Sequence, residues 1–369
     1  MSVKYFLFLF FAAPSLFAAE LYQPGLPSRC LAMGGTCISQ IRGAQALFIN
    51  PAALARVQGF DFIVAQVQAG VSKDAVNFSS QFNGSTFQAS DLNNLFGKIL
   101  TADVNARTGF VMPDFGMGAF STNYTKMAFS DPTFPTFNMN FISDYGYIIG
   151  GAYEISPQTS LGISFKHIKR WGGDEDIDVS TLSGASANTI ASNNFQNHGV
   201  GHSVDLAFMT TLNGALKPTL SAVWQDVGVT TFNMSSGNSA PPSQQDNLIL
   251  GLSIEQDVSI FKFSHAIEYK FANTHNEDLA KKLHIGTETS VGPLDLRAGI
   301  NQGYITYGLG LDLWFFIIEA AAFATELGTY AGQARSDRYN VSVTIEMDFD
   351  QTFKLQNSEG KKRRLMQRR

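Results

Sequence analysis

Through most of its length this chain alternates, residue by residue, between apolar side chains and polar or small ones. A period of two places consecutive side chains on opposite faces of an extended backbone, so the pattern calls for strands. In 338–349 the residues Tyr339, Val341, Val343, Ile345, Met347 and Phe349 share one face, while Asn340, Ser342, Thr344, Glu346 and Asp348 share the other. In 261–272, Phe261, Phe263, His265, Ile267, Tyr269 and Phe271 oppose Lys262, Ser264, Ala266, Glu268 and Lys270. In 304–315, Ile305, Tyr307, Leu309, Leu311, Leu313 and Phe315 oppose Thr306, Gly308, Gly310, Asp312 and Trp314.

About fourteen segments read this way, at 59–72, 105–113, 115–129, 138–155, 159–171, 199–212, 217–227, 246–257, 261–272, 282–291, 294–302, 304–315, 317–327 and 338–349. Most approach the ~9–11 residues that a tilted membrane strand needs, whereas strands of soluble proteins average about five or six. The connections supply a second test. Outer-membrane barrels have short turns at the periplasmic end and longer loops outside. Here a long stretch, 73–104, is followed by a tight Pro113-Asp114 turn, and the alternation continues toward the C-terminus. It weakens at Gly303, which alone separates two segments that should meet outside, and near Phe316, where the turn has no Gly, Pro or Asn. The expected fold is all-β: a closed antiparallel transmembrane β-barrel of about 14 strands over 59–349, closed because no strand edge can face lipid unpaired. A soluble sandwich or propeller is the alternative. Strand length and the nearly uncharged apolar faces argue against it, and no repeat of propeller length is present. Only 15% of residues are charged, and 33 Gly and 31 Phe suit a barrel of Gly-punctuated strands.

Residues 1–19 carry Lys4, an apolar run interrupted by Pro14, and small residues before Glu20, the pattern of a secretory signal peptide. Arg29 directly before Cys30 excludes a lipoprotein site. Cys30 and Cys37 follow closely, and two readings stay open: a disulfide in an oxidising compartment, or two free thiols. The end of the chain, 350–369, is basic, with seven Lys or Arg against Asp350 and Glu359. Read as a periplasmic tail, it is a solvated extension or a contact for anionic lipid or a periplasmic partner. Segment 91–100 has helical spacing at Leu92, Leu95, Phe96, Ile99 and Leu100, which predicts a short amphipathic helix rimming or covering the barrel mouth. The acidic run 174–178 falls in a predicted outer loop, solvated or binding a cation of the lipopolysaccharide layer.

Nothing points to catalysis. The six His show no metal-ligand spacing. No Gly-x-Ser-x-Gly is present, and the acidic body excludes nucleic-acid binding. We therefore expect neither an enzyme, nor a cofactor, nor a metal site. By parity Asp205, Lys262, Glu268, Lys270, Asp295, Arg297, Asp312, Glu346 and Asp348 face the interior, where they hold wall networks or orient the head of an amphipathic ligand. Arg297 is the candidate for that second role.

The stretch 31–55, with Met33, Gly34, Gly35, Asn50, Pro51, Ala52 and Leu54, resembles the N-terminal signature of the long-chain fatty-acid transporter-like outer-membrane proteins; Ala53 stands where the family has Gly. Segment 296–313 is similar to a hairpin near the family's C-terminus, and 225–232 is a weaker match. Phe349 occupies the place of the terminal aromatic that the barrel assembly machinery reads, but twenty residues follow it. The resemblance implies that 20–58 folds into the lumen as a hatch or plug containing the Asn50-Pro51 turn. It implies a Gram-negative outer-membrane channel for passive uptake of hydrophobic or amphipathic small molecules such as long-chain fatty acids. The alternative is a non-transporting scaffold of the kind linked to secretion or surface assembly. Outer-membrane lipid and lipopolysaccharide, a hydrophobic ligand and the assembly machinery are the implied partners.

Overall fold

The computed structural model describes residues 20, 21, 23, 25–81, 95–130, 136–178, 195–275 and 277–349. The expected signal peptide, the basic tail and residues 91–94 of the expected helix at 91–100 lie outside the described residues. Fifteen strands form: β1 (Phe60–Ser72), β2 (Ile99–Met112), β3 (Phe115–Ser130), β4 (Thr136–Ser156), β5 (Thr159–Asp178), β6 (His198–Thr211), β7 (Thr219–Gln225), β8 (Asn233–Ser236), β9 (Asn247–Val258), β10 (Phe261–Tyr269), β11 (Leu283–Val291), β12 (Leu294–Asn301), β13 (Tyr304–Leu313), β14 (Phe316–Glu326) and β15 (Arg335–Phe349). Apart from β8, consecutive strands pair antiparallel, so that β7 pairs with β9, and β1 pairs with β15, which closes the sheet. The short β8 only flanks the end of β6, so fourteen strands make the wall.

Burial inverts the pattern of a soluble protein. On β15, Tyr339, Val341 and Val343 are 43–50% exposed, while Asn340, Ser342 and Thr344 are at most 1% exposed. The greasy face points outward and the polar face inward, the arrangement a barrel adopts when its solvent is lipid. One irregularity breaks the parity. A bulge between Ile63 and Ala65 in β1 shifts the register by one residue, so both Ile63 and Gln66 point inward.

The turns the sequence left ambiguous are both two-residue hairpins. Gln302 and Gly303 join β12 to β13 with φ of 52° and 85°. Trp314 and Phe315 join β13 to β14, with Trp314 at φ 62° and its ring stacked on Phe315. Positive φ matches the twist of a two-residue hairpin, so aromatic residues can serve where Gly or Asn is usual. By loop length, Trp314-Phe315 and Pro113-Asp114 lie at the periplasmic end and 226–246 at the outer end.

Two expectations for the outer loops are corrected. Ile99 and Leu100 belong to β2, and among the described residues of this connection the helix is Lys73–Gln81, immediately after β1. Leu95 and Phe96 pack on Leu100, Phe137, Met139 and Ile177, which share the face opposite the inward Asn138 and Asn140. The described part of the connection therefore lies against the outer flank of the wall rather than over the mouth. The acidic run 174–178 is not a loop either. It ends β5, where Asp176 accepts from Asn138 at 2.8 Å and Asp174 accepts from Asn140. These amides pair across the strands, and the sheet continues where the polar composition suggested a break.

Candidate functional site

A barrel of this strand number encloses a lumen too wide for its own side chains to fill. Here the N-terminal segment lies within it. Leu26, Cys30, Ile38, Ile41, Leu47, Ala52 and Leu54 are all buried, in one cluster with the inward Ile63, Val111, Ile148, Met209 and Ile249 of the wall. Its described part starts at the outer rim, where the Glu20 carboxylate meets Arg338 at 2.6 Å and accepts from the Tyr124 hydroxyl at 2.9 Å.

Its course is set by local chemistry. A helical turn, Ser28–Ala32, leads to Gly34 and Gly35, both at positive φ. Cys30 and Cys37 are joined by a disulfide that spans this turn. At the far end Pro51 opens the short helix Pro51–Arg56, a position where its missing N–H costs nothing. Asn50 caps that helix: its Oδ1 accepts from Ala52 N at 3.0 Å, and its Nδ2 donates to the Ile38 carbonyl at 2.8 Å. The one side chain therefore fixes the helix start and ties together two passes of the segment.

Wall glycines let backbone lie on backbone. A Cβ on Gly286 would sit 2.2 Å from the Met33 carbonyl oxygen, one on Gly299 2.4 Å from Gly34 N, and one on Gly162 2.1 Å from Ala52 N. Gly286 and Gly299 are cross-strand partners, and next to Gly299 comes Thr306, whose hydroxyl accepts from Gly34 N and donates to the Ala32 carbonyl, both at 2.9 Å. Met33, Gly34, Gly35, Asn50, Pro51, Ala52 and Leu54 thus all lie at the contact between segment and wall or next to it.

Charged contacts surround these glycine patches. Glu268 accepts from the N–H groups of Cys37 and Ile38 at 2.5 and 2.6 Å. Arg29 pairs with Glu288 at 2.8 Å. Arg297 is held between Glu288, Asp295 and Glu319 at 2.6, 2.8 and 3.0 Å with its side chain wholly buried. Those three carboxylates occupy its guanidinium, and it does not line the cavity described next. The ligand-binding role expected of Arg297 therefore has no support in its surroundings; Arg297 is a strut of the wall.

The cavity lies toward the outer end of the lumen, above Leu26, Phe48 and Ile49, and has a volume of about 120 Å³. Phe120, Ile148 and Ile168 give it apolar walls, and Arg107, Lys166 and Arg170 contribute cations. Lys166 is neutralised by Asp205 and Asp226 at 2.8 and 2.6 Å, and Arg170 by Asp144 at 2.6 Å. Arg107 differs. Its guanidinium sits 5.3 Å from the centre of the Phe48 ring, and its Nη1 is buried with no hydrogen-bond partner among the described residues. Sequence reasoning placed Arg107 in the strand 105–113 but did not single it out, although Asn105, Arg107, Gly109 and Val111 share the inner parity of that strand.

Near the periplasmic end Asp61, Glu346 and Asp348 bring carboxylate oxygens within 4.8 Å of one another. Parity had placed Glu346 and Asp348 inside, but not their neighbour from β1.

Neither a family model nor a curated protein sequence matches the chain. Solved structures do. CymD, a monoaromatic hydrocarbon channel, superposes with a TM-score of 0.55 at 10% identity over 88% of this chain and 98% of its own. The toluene transporter TbuX of Ralstonia pickettii gives 0.52 at 13% identity, covering 88% of this chain and 99% of its own. The toluene transporter TodX of P. putida gives 0.51 at 17%, covering 89% and 99%. With fourteen antiparallel strands, an apolar outer face and near-complete mutual coverage, the chain has the fold of these hydrocarbon channels.

Proposed function

We propose that the protein is an outer-membrane channel for passive uptake of small hydrophobic or amphipathic molecules, and that its ligands include carboxylates with an apolar tail, such as fatty acids. The observation that carries this reading is Arg107: a half-buried cation with its Nη1 fully buried, beside Phe48 and Phe120, without a carboxylate partner among the described residues, lining a luminal cavity. A desolvated guanidinium gains most from an anion that brings two oxygens in one plane. The apolar walls take the rest of the ligand at roughly 25 cal/mol per Å² buried. The volume of about 120 Å³ is close to that of cavities that take up benzene, roughly 150 Å³, so the closed cavity suits a ring or a short chain. A long acyl chain requires movement of its surroundings. The N-terminal segment acts as the hatch between this cavity and the periplasm. That the fold is shared with toluene and monoaromatic hydrocarbon channels supports passage of neutral apolar molecules as well.

The test is uptake of labelled oleate and of toluene by cells producing the wild type or Arg107→Gln. Loss of a charge-assisted pair lowers oleate affinity about 10- to 100-fold, while toluene uptake stays unchanged. Equal loss for both ligands, or for neither, would refute the anion-binding role. Absence of uptake in the wild type would instead favour a scaffold that transports nothing.

A further inference from the structure

The outer rim of the barrel is uneven. β7 ends at Gln225, opposite Asn247 where β9 begins, whereas β6 continues to His198. Residues 226–246 fill the notch that results, and they fold inward. Phe232 is 5% exposed and lies on the luminal face of β6, where Gly199 and Gly201 make room for it. A Cβ on either glycine would come within 3.0 Å of Phe232. Gln225, Asp226, Gln244 and Gln245 then line the cavity that holds Arg107.

One wall residue grips this strap at two separate points. Arg170 of β5, 2% exposed, donates from Nη1 to the Pro242 carbonyl at 2.7 Å and from Nη2 to Gln244 Oε1 at 2.8 Å. Its guanidinium also covers the Phe232 ring at 4.3 Å. Asp144 fixes the guanidinium by accepting from Nε and Nη2 at 2.8 and 2.6 Å. The hinge of the strap is tied as well: Asp226 accepts from Lys166 and Ser203 at 2.6 and 2.5 Å. The chain next to it is strained, with Asp226, Gly228 and Val229 at φ of 55°, 80° and 67°. A β-branched residue rarely adopts that region, and strain held in place by surrounding contacts marks segments with a second conformation.

We propose that residues 226–246 form a gate over the outer mouth of the cavity and that Arg170 is its latch. With the latch closed the cavity keeps the small volume described above. With it open, Phe232 leaves β6 and the cavity extends through the notch, which gives a longer ligand its way in. The purpose assigned to the gate rests on the channel reading; its motion does not.

The experiment therefore reads access rather than transport. Thr122 lines the cavity. The only two cysteines are tied in a disulfide, so Thr122→Cys supplies a single thiol. Purified folded protein is treated with a methanethiosulfonate reagent bearing a trimethylammonium group, with Asn213→Cys, in an exposed turn, as the open reference. Labelling of Thr122→Cys is expected to be slow. Adding Arg170→Gln should accelerate it about tenfold or more, since bonds from a charged donor are lost. Arg170→Lys keeps the charge and should fall between. Phe232→Ala leaves every charge in place and should also accelerate labelling, so it carries the test if Arg170→Gln fails to show the heat-modifiable migration of a folded barrel. Equal rates in all backgrounds, or labelling of Thr122→Cys as fast as Asn213→Cys with Arg170 intact, would overturn the gate. Accelerated labelling in a protein that takes up neither oleate nor toluene would keep the gate and discard the channel.

Discussion

The N-terminal segment meets the barrel wall in two ways, and the two do different work. At Gly286, Gly299 and Gly162 it lies backbone on backbone, with less than 2.5 Å between each missing Cβ and the segment. At Glu268, Glu288 and Glu255 it is held by carboxylates that reach out from the wall. The glycine contacts are steric: they admit one position and tolerate no added atom. The carboxylate contacts are electrostatic, and their strength depends on how far water is excluded. Glu268 is fully buried against two N–H groups, whereas Arg42 and Glu255 remain about one-third exposed. A segment placed by glycines and fastened by charges of graded burial can stay in register while part of its fastening is released.

Each half of this comparison can be broken separately. The largest effect is expected from Glu268→Ala. It strands the Cys37 and Ile38 N–H groups and leaves buried Lys270 without the carboxylate 3.9 Å away. Removing one partner of a buried pair costs about 3–5 kcal/mol. The urea midpoint in detergent should fall accordingly, and protease should cut the segment; an unchanged midpoint would mean that the wall carboxylates merely decorate the contact. Gly162→Val tests the steric half. Its Cβ would meet Ala52 N at 2.1 Å and the Pro51 carbonyl carbon at 2.3 Å, atoms that cannot rotate away. Overpacking of this kind costs about 1–3 kcal/mol. Displacement of the Asn50-Pro51 turn should raise single-channel conductance in planar bilayers, and a variant that conducts like the wild type would contradict the steric account.

Smaller effects should follow the same logic. Asn50→Ala removes a cap and the bond to Ile38, for about 1–2 kcal/mol, without opening space for conductance. Arg42→Gln removes a pair with 33% and 31% exposure and should change the midpoint by at most about 1 kcal/mol, less still in high salt. If Arg42→Gln proved as costly as Glu268→Ala, burial would not be what grades these contacts.

Much of the architecture was legible along the chain. Alternation over 338–349 places β15, and closure follows from the need to leave no edge in lipid. The parity of Asp205, Glu268, Asp295, Arg297, Glu346 and Asp348 puts each of them at a buried inward position. Legibility failed where period two stops carrying the information. The bulge at Ile63 slips the parity of β1 by one residue. Strands β4 and β5 extend past the membrane into polar sequence, where Asn138 and Asp176 pair across the sheet and composition alone looks like loop. Of the helically spaced residues of 91–100, Leu95, Phe96 and Leu100 pack on a flank, Leu100 as part of β2.

Local sequence thus determined what each strand shows to lipid and to lumen, because side-chain direction in an extended chain depends only on parity. It also determined the Asn50-Pro51 turn, whose cap and fixed φ act within a few residues. Which inward charges meet the N-terminal segment or the strap was decided by the tertiary structure alone. Arg297 and Arg107 are both inward arginines on neighbouring-parity strands, yet one finds three carboxylates and the other a phenylalanine ring. Arg297's carboxylates are largely local, with Asp295 two residues away and Glu288 opposite it in the β11–β12 hairpin, whereas Phe48 reaches Arg107 only because the N-terminal segment lies inside the barrel. The same holds for Arg170, whose contacts at Asp144, Phe232 and Pro242 join two strands and a strap that the chain itself keeps far apart.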